Sequence, residues 1–440
     1  MSRKTQMRPD DRGLPRSERS TLTALAALLQ EHGCLQPGEA LPGLARDQIT
    51  DRARSIGVCV ENKTVVALAL RYCGLATLPA ALGRLPGLQQ LDLTGNQLTM
   101  LPESLGSLVH LQKLYLDDNQ LTALPESLGR LVNLEELYLD KNRLASLPGG
   151  IDRLAHLKIL NVYNNTLDSV PTSLSQLTGL QEVSVGHNRL GSLPDSFWRL
   201  TGLRVLNLAE NQLAALPERI GDLINLQTLD LGHNELTKLP ESLGSLSRLT
   251  FFLYLSNNRL TALPESLANL RNVRYLNVTD NRLTALPENI GHLMGLQELR
   301  FYNNHLTGLP ESLGQLSNLR ELHGMHNRLE ALPATLGDLG QLKELRLSDN
   351  SLAALPESVG QLAQLTHLDL RNNQLRALPE SVGQLARLTH LDLRNNRLTA
   401  LPALIGALPQ IEKLDLRWNK LATVPGWLHR LEERGCVVLR

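Results

Sequence analysis

The side chains of this chain best suited to chemistry are tyrosines, arginines, histidines and aspartates that recur at fixed offsets. Tyr115 and Tyr138 lie 23 residues apart, each followed two positions later by an acid, Asp117 and Asp140. Further along, Arg300, His323 and Arg346 keep the same interval, as do Arg371, Arg394 and Arg417. Aromatic rings beside carboxylates suit recognition of another molecule, because tyrosine and arginine concentrate at the centres of binding interfaces. Catalysis needs something else, a nucleophile and a base brought together. The chain has no GxxxxGKS/T, HExxH, GxSxG or CxxC sequence, and no spacing joins a serine or cysteine to a histidine. No catalytic residue, metal or cofactor is expected. His367 and His390 match across adjacent units, yet the segments 354–376 and 377–399 differ at three of 23 positions, so duplication accounts for the pair.

The elements that must position these residues are set by one repeating string, LxxLxLxxNxL, usually followed by Leu-Pro. Leu91, Leu93, Asn96, Leu98, Leu101 and Pro102 form one copy, and Leu114, Leu116, Asn119, Leu121, Leu124 and Pro125 the next. Sixteen copies occur, with Cys73 at the ninth position of the first. Asparagine follows at Asn96, Asn119, Asn142, Asn165, Asn188, Asn211, Asn234, Asn258, Asn281, Asn304, Asn327, Asn350, Asn373, Asn396 and Asn419. Each interval is 23 except Asn234 to Asn258, which is 24; a bulge or widened turn is expected at Phe251-Phe252. A fixed period of this length means one small unit stacked many times.

Within a unit, LxxLxL predicts a short strand whose fourth and sixth positions face the core and whose third, fifth and seventh face out. The asparagine amide both donates and accepts, so it can satisfy backbone groups in its own turn and in the neighbouring one. Leu-Pro opens a return path about ten residues long, too short for a regular helix but sufficient for 3-10 turns. Stacking then lays the strands side by side, about 4.8 Å apart, in one parallel sheet.

These residues carry a resemblance to leucine-rich repeat proteins over roughly Val65 to Val438. The 23-residue form is similar to the Ras-group class. The resemblance implies an α/β solenoid, a horseshoe with a concave parallel sheet and short 3-10 or helical turns on its convex side. It also implies a protein-binding scaffold in the cytoplasm, with a Ras-like GTPase or another signalling protein as partner. The alternative it leaves open is a substrate-recognition component or bacterial effector working with a ligase or kinase on another chain.

Four segments are expected: a disordered stretch at 1–19, a helical cap at 20–64, sixteen repeats at 65–425 and a closing cap at 426–440. A second cap helix is placed at 44–56. The candidate partner-binding residues are Tyr115, Asp117, Tyr138, Asp140, Tyr163, Tyr254, Arg300, Tyr302, His323, Arg346, Arg371, Arg394 and Arg417. Asp369, Asp392 and Asp415 run alongside the last three arginines, either as part of a charge code or simply as a neutralising row. Lys+Arg and Asp+Glu both number 44, which argues against a surface tuned for nucleic acid. No stretch approaches the ~18 apolar residues of a membrane span, so no membrane insertion is expected. Oligomeric state stays open. Gly324 stands where a core leucine belongs, and Gly324→Leu is expected to stabilise the fold.

Overall fold

The computed structural model describes residues 13–46, 49 and 56–440. The chain divides into two compact units, Met1–Gln212 and Leu213–Arg440. Among the described residues, the first unit holds a helix, α1 (Arg16–Glu31), and eight strands. These are β1 (Ile56–Glu61), β2 (Thr64–Leu70), β3 (Gln90–Asp92), β4 (Lys113–Tyr115), β5 (Glu136–Tyr138), β6 (Ile159–Asn161), β7 (Glu182–Ser184) and β8 (Val205–Asn207). The second unit holds ten strands: β9 (Thr228–Asp230), β10 (Phe252–Tyr254), β11 (Tyr275–Asn277), β12 (Glu298–Arg300), β13 (Glu321–His323), β14 (Glu344–Arg346), β15 (His367–Asp369), β16 (His390–Asp392), β17 (Lys413–Asp415) and β18 (Val437–Leu439). It ends in the helix α2 (Trp427–Glu433), which precedes β18.

From β2 onward neighbouring strands within each unit pair in parallel, offset by one repeat. Leu68 sits opposite Leu91, Leu91 opposite Leu114, and Leu276 opposite Leu299. The leucines at the fourth and sixth positions, such as Leu114 and Leu116, are fully buried. The return path is a 3-10 turn after each Leu-Pro, as at Glu103–Ser107 after Pro102. Proline supplies a fixed φ at the entry, and its carbonyl receives the first turn bond, from Leu105 N–H at 2.9 Å. The glycine of the recurring Glu-Ser-Leu-Gly is there for space. A Cβ on Gly244 would lie 2.2 Å from the Ser266 carbonyl oxygen of the next turn, so at this position the absence of a side chain lets the two turns stack this closely.

The asparagines stitch consecutive layers. Asn119 donates to the carbonyls of Leu93 and Leu116, both at 3.0 Å, and accepts the Leu98 N–H at 3.1 Å. Asn281 repeats this in the second unit with Leu255, Val278 and Leu260. Cys73, in the asparagine's place, donates its thiol to the Arg71 carbonyl at 3.2 Å. One feature of the turn was not expected: the residue before each asparagine is left-handed, with φ of 55° at Asp118, 54° at Lys141 and 53° at His233.

The amino-terminal cap departs from the expected one in three ways. The helix α1 starts at Arg16 rather than Ser20, so Arg16–Arg19 are helical, while the rest of the stretch expected to be disordered falls outside the described residues apart from Gly13–Pro15. The expected helix at 44–56 lies largely outside them too. Where it can be followed, Arg46 and Ile49 are helical as expected, but the ends are not: Leu44 N–H bonds the Val58 carbonyl at 2.9 Å, and Ile56 opens β1. Finally, β1 and β2 form an antiparallel hairpin through Asn62 and Lys63, both left-handed, as a two-residue turn of the primed type requires. The cap closes on the first layer through Leu22, Leu25 and Leu29, and the buried Glu18 carboxylate accepts the Val65 N–H at 2.8 Å.

The 24-residue interval is absorbed just before β10. Thr250 and Phe251 N–H both reach the Gln227 carbonyl, after which Phe252 pairs with Thr228 in the ordinary register. Gly324 leaves no gap. Phe301, one repeat earlier and fully buried, fills the space: a Cβ on Gly324 would lie 2.3 Å from its ring. The expected stabilisation by Gly324→Leu is therefore reversed, because the leucine would have to enter occupied volume.

Candidate functional site

The strand face carries side chains that the leucine core does not need. In the first unit, Tyr115 and Tyr138 occupy the same position of β4 and β5, and their rings stack with centroids 4.9 Å apart and planes 13° off parallel. They line an open cleft of about 480 Å³ together with Arg71, Tyr72, Asp92, Thr94, Asp117, Asp118, Asp140 and Lys141.

Arg71 and Asp92 form a buried ion pair in the floor of this cleft, the guanidinium Nε donating to the carboxylate at 2.7 Å. Asp117 accepts the Asp140 N–H at 2.8 Å, and Asp140 accepts the Tyr163 N–H at 2.7 Å. Burial pushes the Asp140 carboxyl up from the usual aspartate value, against the pull of that hydrogen bond and of Lys141. Both phenols hold their protons more tightly than an ordinary tyrosine. Burial is the larger cause and the carboxylates around them the next, Glu136 foremost; Tyr138 is pushed up to about 12. The rings are neutral platforms in a negative field.

Four of the expected residues thus meet in one place: Tyr115, Asp117, Tyr138 and Asp140. Tyr163 does not line that cleft. Its hydroxyl donates to Glu210 at 2.7 Å, and its ring packs near His187. Asp118, beside Asp117 in sequence, lines the cleft as well, while Arg71, Asp92, Tyr72 and Lys141 are site residues that the sequence reasoning did not single out. Tyr72, Asp118 and Lys141 share the left-handed position before the ladder residue, and that column was the signal to tabulate.

In the second unit, Tyr254 joins an aromatic group with Phe252 and Tyr275, at centroid distances of 5.5 Å and 5.2 Å, and the Arg300 guanidinium lies 5.4 Å above the Tyr275 ring. Tyr275 and Phe252 occupy the third, outward position of their strands, a column the sequence reasoning left aside. Phe251 and Phe252 are exposed. Arg300 also donates to Glu298, and Arg346 to Glu344 at 2.7 Å. His323 is buried, with Nε2 3.0 Å from Glu321. Among the described residues, Glu298, Glu321 and His323 could hold a metal, their ligand atoms lying within 4.8 Å of one another. Spacing alone does not find this set, because it spans two repeats. A cation there would compete with the Arg300 guanidinium for Glu298.

The rows nearest the carboxy terminus pair with each other. Arg371 lies 3.5 Å from Asp369, Arg394 2.6 Å from Asp392 and 3.2 Å from Asp415, and Arg417 2.7 Å from Asp415. Burial would raise the Asp415 carboxyl, but the hydrogen bonds from Arg417 and the charges of Arg417 and Arg394 bring it below the ordinary value. His367 and His390 stack at 4.5 Å, and each Nδ1 is engaged by a threonine hydroxyl.

Comparison with known proteins places this architecture. A family profile described as leucine-rich repeat matches residues 64–121, 86–144, 132–190 and 155–213, and one described as leucine-rich repeat region matches 192–273, 264–347 and 326–433. The chain belongs to the leucine-rich repeat proteins. No curated protein matches it in sequence. Among solved structures it is similar to a leucine-rich repeat protein of Leptospira interrogans, at 32% identity and a TM-score of 0.72, over 90% of this chain and 98% of that one. It is similar to YopM, a leucine-rich effector protein from Yersinia pestis, at 31% identity and a TM-score of 0.60, over 80% of this chain and 88% of that one. The Arabidopsis receptor kinase HAESA, solved with the peptide hormone IDA and the co-receptor SERK1, matches at 25% identity and a TM-score of 0.60, over 94% of this chain and 80% of that one. Leucine-rich repeat proteins generally mediate protein–protein interaction and are typically non-enzymatic scaffolds. Among the described residues, no helix is long and apolar enough to cross a membrane.

Proposed function

We propose that this leucine-rich repeat protein is a non-catalytic scaffold that binds a partner protein on its strand face, with the Tyr115–Tyr138 cleft as a principal contact. The observation that carries the reading is the stacked tyrosine pair set among aspartates on an open surface, where the leucine core and asparagine ladder have no use for it. Aromatic side chains bury large area for little lost rotamer freedom, so a stacked pair is a strong anchor. The Arg300–Arg346 zone with its neighbouring aromatics would be a second contact. The arginines of the last rows, Arg371, Arg394 and Arg417, are occupied by aspartates and serve as a rim.

The likeness of the 23-residue unit to the Ras-group class favours a cytoplasmic role in GTPase-linked signalling. Free thiols at Cys34, Cys59, Cys73 and Cys436 agree with a reducing compartment. A second reading, a bacterial effector or substrate-recognition component acting with an enzyme on another chain, is favoured by the likeness to the Yersinia effector over most of that protein's length.

The test is affinity purification with the wild type beside a Tyr115→Ala/Tyr138→Ala/Arg300→Ala/Arg346→Ala variant, followed by mass spectrometry. The scaffold reading expects specific partners that the variant loses. Undiminished recovery by a folded variant contradicts it. GTPases and their regulators among the recovered proteins would support the signalling reading, and host proteins or ligase components the effector reading.

A further inference from the structure

We infer that the Tyr115–Tyr138 cleft takes the guanidinium of an arginine carried on an extended, basic segment of the partner. The inference rests on the strand-face reading and names the chemistry that face selects.

Charge is the first ground. Four aspartates line the cleft, Asp92, Asp117, Asp118 and Asp140, against two cations, Arg71 and Lys141. Arg71 is already committed to Asp92 in a buried ion pair. Three carboxylates therefore face the opening with a single lysine among them, and an anionic ligand would be repelled. The phenols report the same field: beyond the burial that chiefly raises them, Asp92 of the cleft adds to the rise at Tyr115 and Asp117 to that at Tyr138.

The second ground is the stacked ring pair, independent of the charges. A cation over a tyrosine face is drawn by the ring quadrupole. Elsewhere this chain uses the contact within itself: Arg300 lies 5.4 Å from the Tyr275 centroid and Arg417 5.3 Å from that of Trp418. Among the described residues, no guanidinium or ammonium sits over Tyr115 or Tyr138 in this way. The rings are arranged as a platform whose cation must come from outside.

Shape is the third. An opening of about 480 Å³ is within the size of a recognition pocket and admits a long side chain with the backbone that carries it. Arginine fits better than lysine, because the flat guanidinium stacks on an aromatic face and its fork of N–H donors matches a carboxylate. An ammonium offers a compact charge with neither property.

The experiment measures fluorescence anisotropy of labelled peptides on the full chain at low ionic strength. The first peptide has two arginines separated by one glycine. The others replace arginine with lysine, or with citrulline, which keeps the shape and removes the charge. The arginine peptide is expected to bind at least about tenfold more tightly than the citrulline peptide, with affinity falling as salt is raised. Two variants keep the fold and remove one ground each. Tyr138→Leu removes a ring. Asp117→Asn with Asp118→Asn removes two charges; the asparagine at 117 can still accept the Asp140 N–H, and asparagine tolerates the left-handed backbone at 118. Each should weaken the arginine peptide about tenfold, whereas Tyr138→Phe retains binding.

Equal binding of arginine and citrulline peptides, equal binding of arginine and lysine peptides, or full binding by the double asparagine variant would overturn the inference. Free arginine amide competing as well as the peptide would also overturn it, by moving the recognition to a small molecule. Failure here is separable from failure of the scaffold reading. If no basic peptide binds but the four-alanine variant still loses its partners, only the ligand chemistry is wrong.

Discussion

Gly324 and Phe301 show what single residues add to a regular pattern. By sequence a leucine is missing at 324; in space a phenylalanine from the previous layer already occupies its place. Gly324→Leu should lower the melting temperature, by about 1–3 kcal/mol of overpacking, and Phe301→Leu combined with it should recover much of the loss. Asp140 gives a pH-dependent outcome. Burial raises its carboxyl above the ordinary aspartate value, so the folded state takes up the proton more readily than the unfolded chain. Ionised Asp140 therefore costs stability above its raised value, and the cost fades as the pH falls through it. Binding runs the other way. Protonation removes a charge from the cleft, so affinity for the arginine peptide should begin to fall at a higher pH than a normal aspartate would give. A peptide titration from pH 7 to pH 4 reads this directly, and Asp140→Asn should flatten the acid limb. At this scale the sequence was legible for Tyr115, Tyr138, Asp117 and Asp140, because a fixed strand position fixes the side a residue faces. It was not legible for Phe301 with Gly324, or for Tyr163, because those outcomes depend on a neighbour's volume and on Glu210 in a different layer.

At the scale of the elements, the 23-residue layer was almost wholly written in its leucines, prolines and asparagines. Strand, asparagine turn and 3-10 turn each follow from a side-chain alternation, an amide or a fixed φ. What escaped was backbone strain and contact between layers. The residue before each ladder asparagine is left-handed, a conformation that costs an ordinary L-residue about 1–2 kcal/mol and that the amide network holds in place. His233→Gly should accordingly raise stability by about 0.5–1 kcal/mol in thermal melts, since it relieves strain at an exposed side chain. Gly244→Ala should do the reverse by about 1–3 kcal/mol, because its Cβ would press on the Ser266 carbonyl. Asn119→Ala would strand the Leu98 N–H and take one of two amide donors from the Leu93 and Leu116 carbonyls, which keep Asn96 and Asn142, at a cost of about 1–3 kcal/mol measured by denaturant unfolding. The cap hairpin was missed for a local reason. Asn62-Lys63 forms its turn without glycine, and the strand before it begins where a helix was expected.

For the molecule as a whole, stacking separates what holds the chain together from what it presents. Each layer leans on its neighbours, so removal of one complete layer should be tolerated where removal of part of one is not. Deleting residues 354–376, nearly identical in sequence to 377–399, should leave a folded, cooperatively melting protein; deleting twelve residues of the same layer should not. Circular dichroism melts distinguish the two. Binding is then free to vary on the strand face while the buried leucines and asparagines stay constant, which is why the fold was plain from the sequence and the partner was not. The direct test of this division is site-specific photocrosslinking, with benzoylphenylalanine placed singly at Thr94 on the strand face or at Glu126 in a 3-10 turn. The account predicts that the partner is captured from Thr94 and not from Glu126. Capture from Glu126 alone would contradict it.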